Sequence, residues 1–81
     1  MAVLGSFVAR GGFSIKPSNT ALASKAYGLW IGEEGDLVVT GEDGEDITFV
    51  GVSAGQIIPI ICTHVKAAST VGEVVGFRAY I

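Results

Sequence analysis

Acidic side chains form the strongest chemical signal in this chain. Seven of its eight carboxylates lie between residues 28 and 51, in the stretches EEGD (33–36) and EDGED (42–46). Three kinds of chemistry fit such clusters. They could bind calcium, which prefers hard oxygen ligands, they could supply a carboxylate pair for acid–base catalysis, or they could be solvated turns that join strands.

The spacing within both clusters favours turns. Gly35 and Gly44 lie inside them, and glycine supplies the positive φ of hairpin turns while Asp and Glu face water. Neither cluster has the alternating Asp-x-Asp-x-Asp-Gly pattern of a dedicated calcium loop. Exposed turns also lack the shared concave pocket that two catalytic carboxylates need. We therefore expect two hairpin tips and no metal or cofactor, with calcium binding as the alternative.

The single cysteine and the single histidine are a second candidate pair. Cys62 and His64 are two residues apart, which places them on one face of a strand. A nucleophilic dyad also needs a third group that orients the base, and no Asp, Asn or Glu lies nearby in sequence. Two ligands are too few for a structural zinc site. We expect Cys62 in the core, His64 at a strand end or interface, and no enzymatic activity.

Composition indicates a small domain that associates with other subunits. The chain has 81 residues, of which 49% are hydrophobic and 16% charged. A domain of this size buries only about 60–65% of the surface of its unfolded chain. Apolar surface is therefore left over, and an interface between copies would cover it. We expect a homo-oligomer.

Charge and hydrophobicity exclude two classes of partner. The net charge is −3, and the five basic residues are scattered along the chain, so no basic patch is available for nucleic acid. No stretch reaches 18 consecutive apolar residues, so we expect no contact with a membrane.

The acidic clusters, Cys62 and His64 must be positioned by strands. The sequence consists of short segments of β-forming residues, separated by turn signals every 8–12 residues. The predicted strands are FSIK (13–16), YGLWI (27–31), LVVT (37–40), ITFV (47–50), QIIPIICTHVKA (56–67) and EVVGFRAY (73–80). This pattern predicts an all-β fold, a small antiparallel β-sandwich or barrel. We expect residues 1–12 to form a flexible N-terminal arm and residues 13–81 a single β-domain. Residues 17–26 are ambiguous and could contain one helical turn.

The longest apolar segment is the candidate docking strand. Pro59 cannot donate a hydrogen bond to a neighbouring strand, which indicates an edge strand or a bulge. A small core can cover only one face of this strand, and the other face is left for a partner. The predicted interface consists of Ile57, Ile58, Pro59, Ile60, Ile61, Phe7, Phe13 and Trp30. Strict alternation puts Tyr27 and Trp30 on opposite faces, which argues against an aromatic platform for a glycan.

Four blocks of the sequence together resemble a known family. They are KPSNT (16–20), AYGLWIGEEGDLVVT (26–40), DITFVGVSAGQIIPI (46–60) and THVKAAST (63–70). This order is similar to that of the small spike base proteins of gene transfer agents and tailed phages. The chain departs from the family pattern at Asn19, where Asp is usual, and at Ser53, where Pro is common.

The resemblance implies a virion structural protein on the capsid exterior. Such a protein would decorate the capsid or form the base of a head spike, and its partners would be other copies, the major capsid protein or the spike protein. The alternatives are a calcium- or glycan-binding β-module and a phage tail or connector component.

Overall fold

A computed structural model describes residues 9–79 of the chain, which form strands and no helix. The strands are β1 (Gly12–Ile15), β2 (Ala26–Ile31), β3 (Gly35–Gly41), β4 (Asp46–Val52), β5 (Ile57–Val65) and β6 (Val74–Phe77). Each overlaps one predicted segment, and the predicted all-β class is confirmed. The ambiguous residues before β2 contain no helical turn. No helix that could cross a membrane is present in the part of the chain described.

All six strands belong to one antiparallel sheet in the order β1-β6-β2-β5-β3-β4. Within the described residues, β3–β4 is the one pair of sequential neighbours. Its turn, EDGE (42–45), is the predicted hairpin, with Gly41 N donating to Glu45 O at 2.9 Å. The second predicted hairpin, at EEGD, is wrong because β5 lies between β2 and β3. A turn signal marks where a strand ends but does not say which strand it pairs with.

The sheet encloses its own core. The buried apolar side chains come from all six strands and one loop, and they form a single cluster: Ile15, Ala26, Leu29, Ile31, Leu37, Val39, Val52, Ile58, Cys62, Val65, Val71 and Val74. Since the described residues contain no helix to cover this face, the sheet must bend around it. In the part of the chain that the structure describes, β1 and β4 are the two edges of the sheet.

Pro59 marks a bulge inside the sheet. The strand β5 lies between β2 and β3, so the edge-strand interpretation of Pro59 is wrong and the bulge interpretation is right. Pro59 and Ile60 together oppose Gly28, whose φ is +113°. Such an irregularity leaves one residue unpaired, and a proline without an N–H fits that position.

The same irregularity changes which way the side chains of β2 point. Ala26 and Leu29 are both fully buried although they are three residues apart, so alternation is broken at Gly28. Tyr27 and Trp30 lie next to these buried residues and consequently share the outer face. The expectation that the two aromatic rings lie on opposite faces is therefore wrong.

Two loops complete the hydrogen bonding where strands do not reach. Ser18 N donates to Val65 O and Leu22 N to Thr63 O, both at 2.9 Å, so residues 18–22 run beside the end of β5. On β3, Thr70 N donates to Asp36 O at 2.8 Å. These loops stabilise the sheet because they satisfy backbone groups that strand pairing leaves open.

The first described residues run beside the end of β6. Gly11 O accepts a hydrogen bond from Arg78 N at 2.8 Å, and Arg10 N donates to Ala79 O at 3.3 Å. The rest of the predicted arm, with Phe7, lies outside the described residues. The boundary between arm and domain stays a prediction.

Candidate functional site

Three carboxylates of the two acidic clusters accept hydrogen bonds from the chain's own backbone and hydroxyl groups. Asp36 Oδ1 accepts from Gly51 N, and Asp43 Oδ1 accepts from Glu45 N, each at 3.0 Å. Asp46 Oδ1 accepts from the Thr40 hydroxyl at 2.6 Å. In residues 9–79, no group of three or more His, Cys, Asp or Glu side chains could hold a metal ion. The clusters lie at opposite ends of β3, and several of their carboxylates stabilise turns and strand pairs.

A fourth carboxylate forms an ion pair at the surface. Lys25 Nζ donates to Glu42 Oε2 at 2.7 Å, and both side chains are about half exposed. The hydrogen bond and charge of Glu42 raise the pKa of Lys25. Because water screens the pair, it contributes little to stability, but it connects the segment before β2 to the β3–β4 turn.

Cys62 and His64 point away from each other. The structure pairs Gly41 with Cys62 and Thr40 with His64, so β5 carries one extra residue, Thr63, and its side-chain alternation changes there. Cys62 is fully buried, as predicted, and desolvation raises the pKa of its thiol to about 11. His64 lies on the outer face with Nδ1 at 2.9 Å from the Thr63 hydroxyl. The expectation that Cys62 and His64 share a face is wrong, and no dyad forms.

Five apolar side chains lie together on the outside of the sheet. Trp30 of β2 is flanked by Val75 of β6 and Ile57 of β5, and Tyr27 pairs with Ile61. Each lies next to a buried residue in its strand, so all five point away from the core. We call this set, Tyr27, Trp30, Ile57, Ile61 and Val75, the outer apolar face.

The residues of the predicted interface separate into two groups. Ile58 is buried, and Ile60 and Phe13 pack against the core. Ile57 is 45% exposed, Pro59 is exposed, and Trp30 and Ile61 are half-buried on the outer face. The second group is available to a partner, while Phe7 lies outside the described residues. Whether any of these residues contacts another chain stays a prediction.

The edge strand β4 is a surface that sequence reasoning missed. Val50 is 78% exposed and Ile47 is 44% exposed, and together with Ile57 they are the exposed large apolar side chains among residues 9–79. The strand β4 pairs with β3 on one side, and its other edge is the end of the sheet. The sequence ITFV (47–50) could have indicated this surface. Phe49 and Val50 are adjacent and both apolar, so one of them must point away from the core.

Shallow clefts lie on the surface of residues 9–79. One of about 290 Å³ is lined by Ser24, Lys25, Tyr27, Arg78 and Ala79. The Arg78 guanidinium lies 5.0 Å from the centre of the Phe13 ring, and the Lys25 ammonium is paired with Glu42. Both cations of this cleft therefore have partners within the chain.

Comparison with known proteins links this fold to a capsid. No family model matches the chain, and no curated protein matches it. Among solved structures, the chain is similar to a chain in the capsid of a native gene transfer agent (GTA) particle computed with C5 symmetry. The two are 29% identical with a TM-score of 0.76, and the match covers 96% of this chain and 100% of the other.

This likeness extends over sequence and fold together, and it spans the whole of the other chain. It supports the interpretation that this chain is a structural protein of a virion or of a related gene transfer particle. The predicted relation to capsid proteins of gene transfer agents is confirmed. The narrower role as a spike base protein stays a prediction.

Proposed function

We propose that this chain is a structural subunit on the exterior of a phage-type capsid, where several copies decorate the shell or form the base of a head spike. The observation that carries the proposal is the likeness to a gene transfer agent capsid chain over 96% of the sequence. The sequence blocks that resemble spike base proteins support the finer role. The major capsid protein and the spike protein are the proposed partners.

The outer apolar face is the proposed contact with the capsid or spike. Trp30 and Ile57 lie side by side on it, and large aromatic and aliphatic side chains that lose their water on contact supply most of the binding energy in protein interfaces.

A non-enzymatic role is part of the same proposal. The buried Cys62 thiol holds its proton at neutral pH, and His64 lies on the other side of the sheet. Asp36, Asp43 and Asp46 each accept a hydrogen bond from the protein itself. The thiol and these three carboxylates are thus either shielded or engaged in structural bonds.

The test is to express the full chain with the particles of its host and to measure its copy number in purified particles by native mass spectrometry. We expect a fixed ratio to the major capsid protein and removal of the chain by protease without disruption of the shell. An Ile57→Asp variant should fold but be depleted from particles. Ala54→Asp, at an exposed position of the turn before β5, is the matched control and should be incorporated like the natural chain.

Two results would contradict the proposal. Absence of the chain from purified particles would show that it is not a structural subunit of the capsid. Protection of the chain from protease until the shell is opened would place it inside, and the exterior role would then be wrong.

A glycan-binding module is the second candidate, favoured by the shared face of Tyr27 and Trp30. Aromatic rings on one face can stack on sugar rings. If this is the function, the purified chain binds particular glycans on an array, and Trp30→Ala abolishes that binding. Val50→Ala, at the exposed edge strand, should leave it unchanged.

A further inference from the structure

The two edges of the sheet are complementary to each other. Among residues 9–79, β4 ends the sheet on one side and exposes Val50 and Ile47, and β1 ends it on the other. An edge strand presents unpaired backbone N–H and C=O groups that can pair with another chain. The partner that fits beside β4 must match its direction, its faces and its side chains.

Strand direction favours β1 of a second copy. Neighbouring strands alternate in direction through all five pairs, so the two outermost strands of the order, β1 and β4, run in opposite directions. A second copy in the same orientation therefore presents its β1 antiparallel to β4. This arrangement continues one antiparallel sheet from copy to copy.

The faces of the two strands also match. Phe13 and Ile15 pair with Gly76 and Val74 and point to the core side of β1. In β4, Ile47 and Phe49 pair with Val39 and Leu37, which are core residues. When β1 of one copy lies beside β4 of another, the apolar residues of both edges fall on the same side and cover each other.

One register aligns residues of like or complementary type along most of the two strands. It places Lys16 opposite Asp46, Ile15 opposite Ile47, Ser14 opposite Thr48, Phe13 opposite Phe49 and Gly12 opposite Val50. Opposite charges, apolar pairs and hydroxyl pairs directly across an antiparallel ladder are all stabilising. A shift of two residues keeps the faces but loses the alignment of Lys16 with Asp46.

This register leaves room for the side chain of Val50. Its side chain is 78% exposed in the single chain, and across from it stands Gly12, which has no side chain to block it. An exposed apolar side chain on an unpaired edge strand is a liability for a folded domain unless a partner covers it.

We propose that copies of this chain join head to tail, with β1 of one copy added to β4 of the next in the register that places Ser14 opposite Thr48. This deepens the proposed function, because it specifies how the copies of one exterior assembly contact each other. Such a heterologous contact forms a closed ring when the rotation between copies closes.

The register can be tested by disulfide formation between two variants of the full chain. Ser14→Cys and Thr48→Cys are exposed positions, and the buried native Cys62 does not compete. We expect an oxidised equimolar mixture of the two variants to give a cross-linked dimer at least about tenfold more abundant than either variant alone, because directly opposite Cβ atoms lie within about 5 Å. Ser14→Cys with Val50→Cys is the out-of-register control.

The outcomes separate the alternatives. Cross-linking of Thr48→Cys with itself would show pairing of β4 with β4, and stronger cross-linking in the Val50 control would show another register; either result overturns the proposal. No cross-linking in any mixture overturns it as well. If particles still incorporate the chain in that case, the proposed function survives and the edge pairing alone is wrong.

Charge reversal provides a second measurement. Lys16→Glu and Asp46→Lys should each weaken association about three- to tenfold, as expected for one exposed ion pair repeated at each contact. The double variant should recover association relative to Asp46→Lys, although both lack the hydrogen bond from Thr40 to Asp46. Equal association of the double variant and Asp46→Lys, with equal melting temperatures, overturns the pairing of these two charges.

Discussion

Cys62 is a buried titratable group on which the stability of the domain should depend at high pH. Desolvation raises the pKa of its thiol from 9.0 to about 11. The native state therefore keeps a proton that the unfolded chain loses first. The resulting stabilisation is fully present below about pH 9 and is lost as the pH rises toward 11, by about 1.4 kcal/mol for each pH unit.

The measurement is denaturant unfolding between pH 8 and 11, with Cys62→Ala as control. The control loses stability through its cavity but lacks this pH dependence, so its free energy of unfolding should fall less steeply above pH 9. Parallel curves for the two proteins would contradict the assignment.

Gly76 allows the core side chains of β1 to pack closely on β6. A Cβ at this position would lie 2.7 Å from Ile15 Cδ1 and 3.0 Å from Phe13 Cζ. We expect Gly76→Ala to destabilise the domain by about 1–3 kcal/mol, as overpacked cores do. At Gly11 the nearest atom to such a Cβ is Arg78 Cδ at 3.6 Å, so Gly11→Ala is the matched control and should melt within a few degrees of the natural chain.

At the scale of elements, the loop before β6 acts as a partial strand beside β3. The Ser69 hydroxyl accepts from Val38 N at 2.9 Å and donates to Val38 O at 3.1 Å. Ser69→Ala removes both bonds and leaves the Val38 N–H without this acceptor, which should cost about 1–2 kcal/mol. Ser24→Ala, at an exposed serine, should change the melting temperature little; equal loss in the two variants would show that the loop does not hold β3.

At the scale of the whole molecule, the order of the strands should make folding slow. Of the five strand pairs in the described residues, one joins sequential strands and the other four close long stretches of chain. Folds dominated by such pairings fold in roughly milliseconds to seconds. Stopped-flow fluorescence of Trp30, the single tryptophan, measures this rate, and refolding within microseconds would contradict the expectation.

The isolated chain should also associate with itself. Its composition is 49% hydrophobic, and the outer apolar face and the β4 edge keep part of that content outside the core. Sedimentation should show mass that rises with concentration, and Val50→Asp should lower it without loss of folding because this side chain is 78% exposed. A monodisperse monomer up to millimolar concentration would contradict the association.

The amino-acid sequence alone determined where the strands lie and that the fold is all-β, because alternation and turn residues are local properties of neighbouring positions. It also determined that Cys62 is a core residue and that EDGE (42–45) is a hairpin turn. For the candidate surfaces it indicated the segment from Ile57 to Ile61, of which Ile57 and Ile61 face outward in the structure.

Only the tertiary structure decided which strands pair, because the partners of a strand's backbone groups are distant in sequence. It placed β5 inside the sheet and β4 at its edge, and so exposed Val50. It also moved Tyr27 onto the face of Trp30 and His64 away from Cys62. Each of these last two changes follows from one irregular residue, Gly28 or Thr63, that alters the side-chain alternation, and counting residues along a regular strand cannot detect it.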